Sequence, residues 1–450
     1  MEEISRVPAN RFWIGRCSRA AWSGVCALWE RLTAAVAFLY KDPQPWLLEL
    51  GVAGFLAGFF ILPNNILHGL WFLFTIVIPI WRWRQKDLDL KVLDDAGFWL
   101  LTLLLVWMLG SSLVIAAPNV IFSEALVSLA DSAGILCLYA AIAVLLRSKF
   151  QERRRLLTPF PIVGAVATAI SLVWFYSVNG NPFPSERLRN VFVHFDSGGL
   201  HPVVTGLICG CAAMTAACLY TRQANWKRQS ILLFSVAILS AGVFYSQSRG
   251  SMLALAVAFA TYVITRKDRS WVLPGIMVTL VGLTYFFQPG GEPQGLIDRG
   301  DAGRLDLYAF LFAQMEGLPA ILFGKGLWVV DSATVEQVGW HAHHPHSAIL
   351  TTFFHGGIVG LILTASLVGL GALRAIGVYR ATGDGTWLVL LAFGVAGQLV
   401  DGSMPFSLVT LPRIEPILLL FPIAAASSAY CEYVRAQEQT ASEAAEGHLF

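Results

Sequence analysis

Long apolar runs, broken by short polar punctuation, repeat along almost the whole chain. A membrane-crossing helix needs roughly 20 mostly apolar residues. Twelve stretches fit that template: about 46–62, 65–81, 98–115, 125–146, 157–176, 202–220, 230–244, 250–265, 271–287, 346–371, 385–402 and 413–431. Only Pro63, Asn64 and Asn65, a tight turn signal, part the first two, which read as two spans or as one broken span. The pattern predicts an all-α polytopic membrane protein of about twelve transmembrane helices, with membrane domain 46–431 and a long loop, 288–345, between spans nine and ten. Residues 1–45 mix Arg11, Arg16, Arg19 and Arg31 with Trp13, Trp22 and Trp29. They lack the unbroken apolar core and small-residue cleavage site of a signal peptide, so an interfacial amphipathic helix is expected. Residues 432–450 form a polar C-terminal tail.

Composition narrows the class. Of 450 residues 56% are hydrophobic and 13% charged, and the mean hydropathy is +0.63. Soluble domains carry about 25% charged residues. No water-soluble fold of this size hides so much apolar surface, which excludes a soluble enzyme. A net charge of +2 gives no footing for nucleic acid. The seven cysteines show no zinc spacing and no disulfide framework.

Charge does fix an expected orientation. With both termini in the cytoplasm, 24 of the 31 Lys and Arg residues fall on inside segments. The outward seven are Arg187, Arg189, Arg249, Arg299, Arg304, Lys325 and Arg413. Five of these arginines, Arg187, Arg189, Arg249, Arg299 and Arg304, stand on thin outer loops and point to an anion site. Headgroup contact or helix capping would account for any single one. Within the spans, Asp131 and Asp401 are costly carboxylates, expected to face a cavity or a partner helix.

Three segments carry candidate chemistry. Ser246-Gln247-Ser248-Arg249-Gly250-Ser251 joins two spans in a polar turn where backbone N–H groups and Arg249 can approach a phosphate at the membrane edge. Residues 299–317 predict a short helix with Arg304 in its first turn. A cation there opposes the helix dipole, a placement eased by a bound anion; a snorkelling arginine on an interfacial helix is the plainer reading. His341-Ala342-His343-His344-Pro345-His346-Ser347 puts four of nine histidines at the entrance to span ten. Imidazole suits a general base near neutral pH. Zinc is the other reading, weakened by Pro345, which keeps the four rings from one helical face, and by the absence of a neighbouring acid pair.

His346-Ser347, nine residues, then Gly357-Ile358-Val359-Gly360 resembles the signature of bacterial O-antigen ligases. The turn at 248–250, Gly303-Arg304, the Gly324-Lys325-Gly326 turn and the topology are similar to the same ligase and polymerase superfamily. The resemblance implies a fold related to the multispanning GT-C glycosyltransferases. It implies transfer of a glycan from undecaprenyl pyrophosphate to the lipid A–core on the periplasmic face of the bacterial inner membrane; arginines that carry the diphosphate charge, with a histidine base, would need no metal or cofactor. His346 then matches the essential histidine, with His344 and His343 beside it as rivals, and Arg249 and Arg304 the two outward arginines. Arg187 or Arg189 resembles a further arginine before a His/Asn-Pro element, here His201-Pro202, and Arg299 joins the substrate-binding set. Ser347 departs from the commoner Asn. An O-antigen polymerase shares this chemistry. An anion transporter is a different class, but the inverted repeats and midplane polar residues it calls for are missing from the pattern.

Overall fold

The computed structural model describes residues 45–62, 65–78, 80, 95–116, 122–147, 154–189, 200–221, 225–266, 268–287, 304–327, 346–402 and 413–447. Every regular element among them is helical. In chain order these are α1 (Pro45–Ile61), α2 (Asn65–Phe72, continued by a π-helical turn Leu73–Val77), α3 (Ala96–Ala116) and α4 (Phe122–Arg147). Next come α5 (Pro159–Val173, with a π-helical turn Trp174–Val178), α6 (Pro202–Tyr220), α7 (Trp226–Tyr245), α8 (Arg249–Ile264) and α9 (Val272–Phe287). Then follow α10 (Arg304–Gln314), α11 (Gly317–Phe323), α12 (Ala348–Thr382), α13 (Thr386–Asp401) and α14 (Ile414–Gly447).

All twelve apolar stretches read from the sequence are thus helical, but they are not equal as spans. Among the described residues eight helices are long and apolar enough to cross a membrane, or nine if the bent pair Arg304–Gln314 and Gly317–Phe323 is one span. The segments Leu48–Ile61, Ile66–Val77, Arg249–Ile264 and Thr386–Val400 are shorter, at 10–17 residues. The expected long loop holds the α10–α11 pair, bent by 119° at its junction. The first of these two helices is legible from its apolar side; the second follows a left-handed Gly317 (φ 82) that nothing in the hydropathy marks.

Two helices form the centre. The spanning windows of α14 and α6 are 89% and 78% buried, against 22% for the α9 window at the margin. Small residues explain the position of α6. A Cβ on Gly210 would meet the Phe393 ring at 2.6 Å, and one on Gly206 would meet the Ser246 and Ser251 hydroxyls at 2.6 Å. Close backbone approach of this kind replaces the hydrophobic drive that lipid cannot supply. Hydroxyls inside the bundle return to their own helix, as Thr215 Oγ1 does to Cys211 O at 2.8 Å. Around this centre α7 packs on α6, α8 on α13, and α12 on both α14 and α3.

One end of the bundle is fastened by a buried ion pair. Asp95, 2% exposed, pairs with Arg374 of α12. The same carboxylate accepts from the Tyr139 hydroxyl (2.7 Å) and from Gly97 N (2.8 Å), and Arg374 Nη1 also donates to Ser427 Oγ (2.7 Å). The group therefore ties α3, α4, α12 and α14 together. Removing one partner strands a buried charge, which costs about 3–5 kcal/mol. Asp95→Ala is expected to lower the thermal unfolding temperature in detergent markedly, and Asp95→Ala with Arg374→Met to recover most of it; an unchanged single variant would show that the pair contributes nothing.

Candidate functional site

At the opposite end, α7 closes at Tyr245 and the chain re-enters α8 within three residues. Gln247 takes the left-handed conformation (φ 49) that makes so tight a reversal possible. Ser248 caps α8 by accepting from Ser251 N (3.3 Å), Ser246 Oγ donates to Val243 O (2.7 Å), and the Ser251 and Ser248 hydroxyls meet at 2.9 Å. These side chains are buried and serve the turn itself. Arg249, the first residue of α8, is the half-buried cation the turn presents.

The turn also fixes the loop that follows α5. Gln247 Nε2 donates to Pro184 O (2.9 Å) and Ser185 O (3.2 Å), Arg187 Nε to Ser246 O (3.1 Å), and Leu188 N to Tyr245 O (2.8 Å). The two arginines the sequence could not separate therefore differ. Arg187 is bonded to the Arg249 turn, and Arg189 is exposed beyond it. His201 is the N-cap of α6, its Nδ1 accepting from Val203 N (3.3 Å). That first turn of α6 touches the turn too, through Ser251 Oγ to Val203 O at 3.4 Å.

Arg304 opens α10, as the sequence predicts, but its dipole conflict is relieved by the protein. Its Nη1 donates to Val400 O (2.8 Å) at the C-terminal end of α13, where the helix dipole favours a cation. That end abuts the head of α12, since a Cβ on Gly402 would fall 2.6 Å from Ala348 N. His346 precedes Ala348 by two residues, half-buried and left-handed (φ 55), a costly conformation for a non-glycine residue. The structure thus gathers Arg187, Arg249, Arg304, His201 and His346 at one end of the bundle. Arg299, His341, His343 and His344 lie outside the described residues, as does the side chain of Asp401. Asp131 is buried within α4.

The glycine of the His-Ser-x9-Gly pattern breaks α12. Gly357 has φ 64 and ψ −163 inside an otherwise continuous helix. The break frees carbonyls that would otherwise bond along the helix. Lys325 N donates to Phe354 O (2.7 Å), Gly326 N to His355 O (3.1 Å) and Trp107 Nε1 to Gly356 O (2.9 Å). His355 Nδ1 in turn donates to Gly326 O (2.7 Å), while its Nε2 is buried without a hydrogen-bond partner. No side chain fits between the two segments. A Cβ on Gly357 would lie 2.3 Å from Leu322 O, and one on Gly324 2.3 Å from His355 O. The sequence shows the glycines of 324–326 and 357 but not their contact. His355 and Gln247 carry no local signal of their roles.

An apolar groove of about 480 Å³ runs beneath the arginines. Its walls are Leu253 and Val257 of α8, Val368 of α12, and Leu391, Val395 and Leu399 of α13. Leu253 and Leu399 are 50% and 44% exposed, so the groove opens sideways out of the bundle. Leu253 and Val257 lie one and two turns below Arg249 on the same face of α8. Val400, the last lining residue of α13, is the residue whose carbonyl holds Arg304.

A multi-pass helical bundle with cations at the mouth of a lipid-facing groove is the class this architecture defines. Residues 234–365 match the O-antigen ligase family model. That interval contains Arg249, Arg304, the α12 break and His346. The chain is also similar to an O-antigen ligase of Pseudomonas aeruginosa, with 26% identity over 292 residues, covering 63% of this chain and 66% of that relative. Both findings make the chain similar to O-antigen ligases.

Gly357→Ala is expected to force the 324–327 turn off the broken helix. Amide hydrogen exchange of Lys325 and Gly326 should then speed up at least tenfold, on the order of one lost hydrogen bond each. Unchanged protection in the variant would show that these amides are not held by α12.

Proposed function

We propose that this protein transfers O-antigen polysaccharide from undecaprenyl pyrophosphate to a sugar hydroxyl of the lipid A–core, on the periplasmic face of the inner membrane. The observation that carries the reading is the groove whose upper end is flanked by Arg249 and Arg304. A polyprenyl diphosphate has that shape in chemical terms, an apolar chain ending in a strongly anionic group.

In this reading the polyprenyl chain lies along α13, and the diphosphate meets guanidinium groups that stay charged at any working pH. The acceptor hydroxyl attacks the anomeric carbon as the bond from that carbon to the diphosphate oxygen breaks. Negative charge collects on the departing diphosphate, where the arginines stabilise it. The hydroxyl proton passes to His346, a step worth roughly 10²–10⁴-fold in rate. Attack opposite the leaving group inverts the anomeric centre. Arg187, bonded to the Arg249 turn, positions that turn, and the exposed Arg189 reaches the glycan side. His344 and Arg299 belong to the same proposed site.

His346→Ala is expected to insert and fold but to transfer almost no glycan; His344→Ala and His343→Ala, made in parallel, are expected to retain activity, and the reverse result would move the base. Arg249→Lys and Arg304→Lys keep the charge but lose the planar fork, so both are expected to be strongly impaired, whereas Arg413→Lys is tolerated. Equal tolerance at all three would remove the diphosphate site. Purified protein should work equally well with EDTA, and chelator-sensitive activity restored by zinc would replace this mechanism. In cells lacking the protein, a core without polymer, alongside retained lipid-linked polymer, supports ligation. A core capped by a single repeat unit would indicate a polymerase.

A further inference from the structure

Lys325 is a cation at the same end of the bundle that the scheme above leaves unused. It stands between two left-handed glycines, Gly324 (φ 80) and Gly326 (φ 83). Its own N–H is bonded to Phe354 O, and both backbone groups of Gly326 are bonded to His355. Leu327 N donates to Ser112 Oγ of α3 at 2.8 Å. The backbone around Lys325 is therefore held on both sides, and the side chain leaves a fixed point. That side chain is half-buried. Among the described residues no carboxylate pairs with it; the described ion pair is Asp95–Arg374, at the other end of the bundle.

Its side of the bundle is also distinct. The turn seats on α12 and α3, with Phe323 stacked on Trp107 of α3 at 5.5 Å between ring centroids. The donor groove has its walls on α8, α12 and α13. The turn meets α12 at Phe354–Gly357, whereas the groove's α12 wall, Val368 and Ala372, lies beyond the break. A half-buried ammonium without a counter-charge is stabilised by an anion beside it. Lysine supplies a compact point charge that suits one anionic group rather than a bidentate diphosphate clamp.

We infer that Lys325 binds an anionic group of the acceptor glycolipid, a phosphate or a sugar carboxylate, on the α3 side of α12, apart from the residues that line the donor groove. This rests on the glycan-transfer reading above. The two substrates then approach His346 from different elements, the acceptor from the 324–327 turn and the donor from the groove. The charge of Lys325 sets acceptor affinity and takes no part in the bond changes.

The test uses the full chain in phosphatidylcholine nanodiscs, with and without added phosphatidylglycerol. KM is measured separately for lipid-linked donor and for lipid A–core acceptor. Lys325→Met is expected to raise the acceptor KM about tenfold while kcat and the donor KM change less than about twofold, and Lys325→Arg to restore most of the loss. The Lys325 bond to α12 is made by the main chain, so the variant keeps its anchor; Lys325→Gln is the second variant, and the unfolding temperature of each checks the fold. A rise in donor KM instead would overturn the assignment, as would an effect seen only with phosphatidylglycerol, or no effect. If the parent protein transfers no glycan, the functional reading fails by itself. Binding of purified lipid A–core, which carries both phosphates and sugar carboxylates, then decides: about tenfold weaker binding by Lys325→Met supports the anion site, and equal binding overturns it.

Discussion

A helix that breaks inside an apolar bundle leaves carbonyl groups that lipid cannot satisfy. The break of α12 at Gly357 is therefore possible only with the Gly324–Leu327 turn in place. That turn gives its Lys325 and Gly326 amides to the freed carbonyls, while Trp107 and Ser112 of α3 close the remaining side. The contact sets the tilt of the α12 segment that carries His346. It also fixes how far α11 enters the bundle and where α10, with Arg304, begins its approach to α13.

The two ends of the bundle treat charge in opposite ways. At one end Asp95 and Arg374 neutralise each other, with Tyr139, Gly97 and Ser427 filling the hydrogen bonds that burial would otherwise strand. That end is closed and structural. At the other, cations sit half-buried at helix ends: Arg249 at the start of α8, Arg304 against the end of α13, Lys325 beside the break in α12. Ser246, Ser248 and Ser251 complete the turn beside Arg249. An end built this way is suited to anionic substrates that arrive from outside the protein.

The groove adds direction to that preference. A cationic mouth alone would accept any soluble anion. In the proposed reading, a groove open to the bilayer along α13 would select an anion attached to a long apolar chain. Its walls are exposed leucine and valine side chains that would be a liability in water and are ordinary in lipid.

Much of this was legible in the sequence. The twelve apolar stretches became helices because periodic burial and membrane length leave the backbone no other satisfied form. The helix starting at Arg304 followed from its apolar side, and the interval holding Arg249, Arg304, Gly357 and His346 followed from motif spacing. Tertiary structure alone decided that the polar turn Ser246–Ser248 is buried, because Gly206 of α6 and Arg187 pack against it. It also decided that Arg187 serves the Arg249 turn while Arg189 does not, that Arg304 answers the dipole of α13, and that Gly357 and Gly324 touch. These are contacts between residues far apart in the chain. Hydropathy and spacing report only on a residue's own helix, so packing had to bring the partners together before their roles could be read.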